Sequence, residues 1–242
     1  MDTGELSEKL VSWIRDQVLA AGCKGVVIGM SGGVDSSVLA VLCYRAFPQS
    51  TLGILMPCYN SQAEAEHARA VAGQFSIATE TVILDGVFDV LSKVLPNDKT
   101  DPAANRVAKG NLKARLRMLT LYYFANQLKY MVAGSGNRSE LAVGYFTKYG
   151  DGGVDILPLG NLVKGQVREL ARFLGIPQQI IDKPPSAGLW EGQTDEGELG
   201  FSYEELDHYL VTGGTDDKLR QKIELMIATS NHKRQPPPIA RF

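Results

Sequence analysis

Leu6, Leu10, Ile14 and Val18 recur at every fourth position, with Val11 and Trp13 beside them. That spacing predicts an amphipathic helix over residues 3–21, stopped by Gly22. The period then changes. Residues 25–30 are a short β-branched run without polar alternation, as expected of a strand covered on both faces, and residues 36–47 return to helical composition before Pro48. The unit repeats as a strand over 51–56, a helix over 62–75 and a strand over 80–84, followed by a long helix over 107–128, a strand over 130–133 and a fifth strand over 155–157. Short apolar strands alternating with helices predict an α/β protein: a Rossmann-like, doubly wound parallel sheet of about five strands with helices on both faces and right-handed crossovers.

Three stretches carry neither period. Residues 95–105 are polar with two prolines, residues 183–200 mix Pro, Gly and acids, and the segment after 230 is basic and Pro-rich. Long irregular loops in a compact domain commonly cover a site, so these are expected to close over bound substrate.

Composition narrows the class. A chain of 242 residues fits one domain over 1–242, with a core of ordinary size. Its 25 Lys+Arg against 27 Asp+Glu leave a charge of −2, too little positive charge for a nucleic-acid-binding protein. No apolar run approaches the roughly 20 residues of a membrane helix, and residues 1–9 carry three acids rather than a secretion signal. Cys23, Cys43 and Cys58 are odd in number and lack CxxC spacing, so reduced thiols in a cytoplasmic protein are expected.

The candidate chemistry begins right after the first strand. Gly29, Met30, Ser31, Gly32, Gly33, Val34, Asp35 and Ser36 join a strand to a helix. Adjacent glycines let the backbone N–H groups converge on an anion, and the helix N-terminus adds its positive end. A Walker A loop needs GKS or GKT and a dinucleotide fingerprint needs GxGxxG, and neither is present. A second such turn, residues 134–140, follows the fourth strand, with Asn137 or Ser139 placed to cap a helix and Glu140 in its first turn. In a doubly wound sheet both turns face the crevice at the carboxyl ends of the strands. Lys164 begins another helix, an unfavourable place for a cation unless an anion sits beside it.

The SGGVDS string resembles the pyrophosphate loop of enzymes that split ATP between the α and β phosphates. On its own it leaves open a tRNA thiolase or another adenylating enzyme such as GMP synthetase, or a non-catalytic nucleotide sensor. Further stretches are more specific: GNLKARLRM at 110–118, GSGNRSE at 134–140, GYFTKYGDGGVDILPL at 144–159, PPSAGLWEGQTDEGELG at 184–200 and HKR at 232–234. Together they resemble NAD synthetase, of the adenine nucleotide α-hydrolase-like fold, over almost the whole chain.

The resemblance implies ATP-dependent amidation of deamido-NAD through an adenylated carboxylate, releasing AMP and pyrophosphate. It makes residues 29–36 the ATP loop and Asp35 and Glu140 the Mg²⁺ ligands. Ser135 and Ser186, both frequent Thr positions in the family, join Lys164 in contacting ATP, and Arg115, Lys148, Asp155, His232 and Lys233 contact deamido-NAD. Asp35, Lys164 and Asp155 are the implied catalytic groups, with Asp155 a candidate for taking the proton from ammonium. A homodimer is implied too, and the apolar stretch 118–128 is either an interface element or part of the core. Only about 24 residues precede the first strand, so no glutaminase domain is expected, and the nitrogen comes from free ammonia or from a separate glutaminase. Removing the Asp35 carboxylate is expected to abolish turnover and leave the fold intact.

Overall fold

A computed structural model describes residues 2–59, 62–96, 101–190 and 192–242. Helix α1 (Thr3–Ala20) turns Val11, Ile14 and Val18 inward. Strand β1 (Val26–Gly29) leads into α2 (Val34–Ala46), which is apolar almost all round and accordingly buried along most of its length. Strand β2 (Thr51–Leu55), α3 (Gln62–Phe75) and strand β3 (Ala78–Thr81) complete the first half. Then come α4 (Asp85–Val94), α5 (Pro102–Leu128) and strand β4 (Met131–Ala133). The remainder is helical: α6 (Arg138–Val143), α7 (Lys164–Leu174), α8 (Gln178–Ile181), α9 (Asp195–Leu199), α10 (Tyr203–Thr212) and α11 (Asp217–Thr229), ending in a 3₁₀ turn at Asn231–Lys233.

The sheet is parallel, with strand order β3-β2-β1-β4. In register, Ile28 of β1 lies between Gly53 of β2 and Ala133 of β4. Successive side chains of a strand point to opposite faces, and β1 divides its residues accordingly. Val26 and Ile28 enter the core built with α1, α2 and α7, while Val27 enters the core under α5 with Ile54, Leu121 and Val132. A third core joins Val143 of α6 to Leu199, Tyr203, Leu206 and Ile223 of the last helices. No helix among the described residues is long and apolar enough to cross a membrane.

The doubly wound α/β architecture matches the expectation, with four strands in place of about five. The run 155–157 makes only one parallel bridge, Ala133↔Ile156. The Asp155 carboxylate takes the Val132 N–H at 2.8 Å, and a turn closed by Gly160 N–H on Leu157 O follows at once, so the ladder cannot extend. The third strand lies at 78–81 rather than 80–84. Helix α5 starts at Pro102 rather than 107, because Asp101 caps it by accepting the N–H groups of Ala103 and Ala104. Residues 97–100 of the expected loop lie outside the described residues. Helix α4, for which the hydrophobic pattern predicts no element, packs Phe88 and Leu91 against the second core.

Candidate active site

The carboxyl ends of β1 and β4 open into a cavity of about 460 Å³. Gly29, Met30, Ser31, Gly33, Val34, Asp35 and Ser36 line it from the first turn, Ser135 and Glu140 from the second, and Lys164, Ser186 and Lys233 from beyond. Gly32 has φ +78°, and a side chain there would run into the backbone carbonyl of Glu64, so this position requires glycine for both conformation and space. The loop hydroxyls bond to one another: Ser31 and Ser36 lie 3.0 Å apart, and Ser36 and Ser37 both donate to Gly33 O.

Asp35 sits in the first turn of α2, and its two oxygens have different partners. Oδ1 accepts from Asn137 Nδ2 at 2.9 Å, and Oδ2 pairs with Lys164 Nζ at 2.6 Å. Asn137 is fully buried and caps α6, accepting the Glu140 N–H at 3.0 Å while Glu140 Oε2 accepts the Asn137 N–H at 3.2 Å. This capping box turns Glu140 Oε1 toward Lys164 Nζ, 3.4 Å away. The capping role and the site role of this turn are thus compatible: one backbone arrangement serves both.

Lys164 has 3% of its side chain exposed, against 15% for Asp35 and 18% for Glu140. Burial alone would lower its pKa, but Asp35 and Glu140 outweigh that and hold it above its ordinary value, so the ammonium stays charged. With one cation facing two acids, burial pushes Glu140 up to about 8.

The anion that a lysine at a helix start requires is supplied within the protein. Val163, the residue before α7, has no polar side chain. Asp207 of α10 substitutes for a cap, accepting the N–H groups of Lys164 and Gly165 at 3.3 and 2.7 Å and the hydroxyl of buried Ser139.

Residues from 183–190 and 192–200 line the cavity on its open side. Buried Lys113 donates to Leu189 O at 2.9 Å, Arg106 lies over the Trp190 ring at 5.3 Å, and Lys183 reaches Glu64 at 3.5 Å. Lys233 donates to Gly144 O and Phe146 O at 2.7 and 2.8 Å.

The other residues expected to contact deamido-NAD do not line this cavity. Arg115, Lys148 and His232 form a hydrogen-bonded series, in which Arg115 donates to Lys148 O at 3.3 Å and Lys148 Nζ donates to His232 O at 2.6 Å. Asp155 stands apart from them: besides the Val132 N–H it accepts the Tyr122 hydroxyl at 2.9 Å. Several cavity residues carry no role in the sequence reading, among them Arg117, Tyr145, Asp151 and Asp195. Each lies within a stretch quoted above for its resemblance, so the signal was present at the level of the motif and absent at the level of the residue.

The sequence model of the family described as NAD synthase matches residues 6–237. A protein of Carboxydothermus hydrogenoformans named "NH(3)-dependent NAD(+) synthetase" is 50% identical over 235 residues, covering 97% of this chain and 96% of its own. Among solved structures, NMN synthetase from Francisella tularensis superposes with a TM-score of 0.93 at 37% identity, each chain covered in full. The NH3-dependent NAD synthetase from Campylobacter jejuni, in complex with the nitrate ion, gives 0.82 at 29% identity, again over all of both chains. Sequence match, relatives and superposed folds agree from one end of the cavity-forming chain to the other, and the chain belongs to the NAD synthase family.

Proposed function

We propose that this chain forms a C–N bond, amidating deamido-NAD to NAD with ATP and ammonia and releasing AMP and pyrophosphate. The observation that carries this reading is Lys164, held between Asp35 and Glu140 at 2.6 and 3.4 Å beside a glycine turn and a helix N-terminus inside one cavity. A fixed cation and converging N–H groups suit a leaving pyrophosphate.

The chemistry needs such a place. A nicotinate carboxylate would have to expel oxide if ammonia attacked it directly, so an oxygen of that carboxylate first attacks the α-phosphorus of ATP. Pyrophosphate leaves toward the turn at 29–36, where Lys164 balances its charge, with Ser135 and Ser186 as further ATP contacts. Ammonia then attacks the acyl carbon and AMP departs. The segment 183–200, tied to α5 and α3, keeps water from the adenylate. Asp35 and Glu140 would hold Mg²⁺, for which one or two carboxylates completed by substrate phosphates are an ordinary ligand set, and the ion would draw charge from the leaving group.

Arg115, Lys148, His232 and Lys233 are assigned to deamido-NAD. Hydrogen bonds link Arg115, Lys148 and His232, and Lys233, next to His232 in the chain, lines the cavity, which suits a substrate too long for the cavity alone. Asp155 belongs to the same assignment through the family motif.

The partner is a second copy of the chain. Leu119 and Tyr123 of α5 are exposed together with Ile83, Val87, Val90 and Val94 in and before the adjoining α4. An apolar face of this kind marks an interface, and Leu119→Glu is expected to give monomers by sedimentation while the wild type sediments as a dimer.

The deciding assay incubates the protein with ATP, Mg²⁺, deamido-NAD and ammonium chloride and measures NAD, AMP and pyrophosphate; ADP and phosphate in their place overturn the reading. The likeness to an NMN synthetase at TM-score 0.93 favours running the mononucleotide acid in parallel as the second candidate substrate. The family match gives no support to a tRNA-modifying enzyme or a nucleotide sensor.

A further inference from the structure

Next to Lys164 lies a carboxylate for which phosphate binding has no use. Asp195, the first residue of α9, is 4% exposed and lines the cavity. Its Oδ2 accepts the Tyr203 hydroxyl at 3.0 Å, whereas its Oδ1 is buried with no hydrogen-bond donor. Tyr145 lies within hydrogen-bonding range of Asp195, but its single proton is directed to Glu198 at 2.6 Å. Lys164, the nearby cation, is engaged by Asp35 and Glu140. A buried carboxylate oxygen short of a donor is costly, and it persists where a ligand supplies the proton.

The surroundings define that ligand. Asp195 and Glu198 border the cavity beside Lys164, so a group that donates hydrogen bonds suits them better than a further acceptor. Burial raises the Asp195 pKa, and the Lys164 charge opposes it. The amidation reading supplies a small cation with N–H donors, because ammonia at neutral pH arrives almost wholly as ammonium. We propose that Asp195 Oδ1 is the acceptor of an ammonium subsite, which draws the nitrogen donor from solvent and holds it beside the acyl adenylate. The subsite rests on that reading of the reaction. Mg²⁺ is the other cation that these carboxylates attract, and the two make different demands on the half-reactions.

The test is Asp195→Asn in the full chain, which keeps an acceptor for Tyr203 and turns an N–H toward the incoming cation. Three quantities are measured: deamido-NAD-dependent exchange of pyrophosphate into ATP, turnover with ammonium, and turnover with hydroxylamine, which is already uncharged at neutral pH. Exchange is expected within about twofold of wild type. The KM for ammonium is expected to rise about 10- to 100-fold, the range implied by losing one charge-assisted hydrogen bond. Hydroxylamine turnover is expected to be unchanged.

Lost exchange would place Asp195 at the metal and phosphate end and overturn the subsite, as would an equal loss with hydroxylamine or an unchanged KM. If the wild-type protein shows neither exchange nor amide formation, the amidation reading itself fails. Should the variant not fold, rubidium, a cation close to ammonium in size, is tested on the wild type. Competition against ammonium with exchange unaffected supports the subsite, and its absence overturns it.

Discussion

Gly144 offers the sharpest test of how the C-terminal helices hold the site. It ends α6 with φ +71°, lines the cavity, and lends its carbonyl to Lys233. A methyl group at 144 would overlap Ser230 Cβ and Oγ. Ser230 cannot move aside cheaply: its hydroxyl donates to Met226 O at 2.6 Å and accepts from Arg234 at 2.8 Å. The same guanidinium binds Leu141 O and Ala142 O at 3.0 Å each, so displacing Ser230 disturbs the end of the helix that carries Glu140.

Gly175 provides the control. It ends α7 in the same way, with φ +79°, but an added Cβ meets nothing within 4 Å. Gly175→Ala therefore costs only the left-handed backbone, about 1 kcal/mol. Gly144→Ala adds the overlap, about 2 kcal/mol more. With a urea slope of about 3 kcal/mol/M, the unfolding midpoint falls by about 0.3 M for Gly175→Ala and about 1 M for Gly144→Ala. Amidation is expected to drop only in Gly144→Ala, because only there is Lys233 moved. Equal midpoint shifts, or full activity in Gly144→Ala, would refute the packing argument.

Three further outcomes follow from the same geometry. Asp35→Ala is expected to lose turnover and also about 3 kcal/mol of stability, since Lys164 and Asn137 both lose a partner at a largely buried site; a melting temperature equal to wild type would restore the simpler view that the carboxylate can be removed with the fold intact. Asp207→Ala uncaps α7 and strands the Ser139 hydroxyl, for a loss of about 2 kcal/mol, and it lowers kcat as Lys164 shifts, whereas Asp207→Asn, which keeps one acceptor oxygen, is milder on both measures. Glu140 holds its proton up to about pH 8 in the folded protein against an ordinary 4.5. Its contribution is complete below about 4.5 and is lost as pH rises toward 8, with a slope of at most about 1.4 kcal/mol per pH unit. Glu140→Gln should flatten that window in ligand-free denaturation curves, and an unchanged slope would reject the assignment.

The parts of this site visible in the sequence are those in which one short segment contains its own cause. SGGVDS after an apolar run can be read as a turn for an anion because the glycines, the helix start and Asp35 all lie within a few residues. Asn137 as a cap for Glu140 is equally local, and Asp101-Pro102 was a start signal for α5 within plain reach. The fifth strand misled for the converse reason. The short stretch 155–157, with Ile156 and Leu157, looks like a strand until the Asp155 side chain is known to occupy the Val132 N–H, which no period reveals. Asp207 was hidden further still, because it caps a helix that begins 43 positions earlier, where Val163 gives no sign that a cap exists.

Local signals named Asp35, Glu140 and Lys164 separately, but only the sheet makes them one unit. Parallel pairing of Ile28 with Ala133 sets the turn after β1 beside the turn after β4, so Asp35 and Asn137, 102 positions apart, come within 2.9 Å. A one-residue slip of β4 would send Val132 and Ala133 to the wrong cores, and the two cores on either side of the sheet fix the register against it. Lys164 is then brought in from a third direction by Asp207, which belongs to the helices of the third core. The charge arrangement at the phosphate end thus depends on all three cores. On that account a substitution in the third core, such as Leu206→Ala, should reduce kcat through Asp207 as well as stability, although Leu206 itself lies outside the cavity lining.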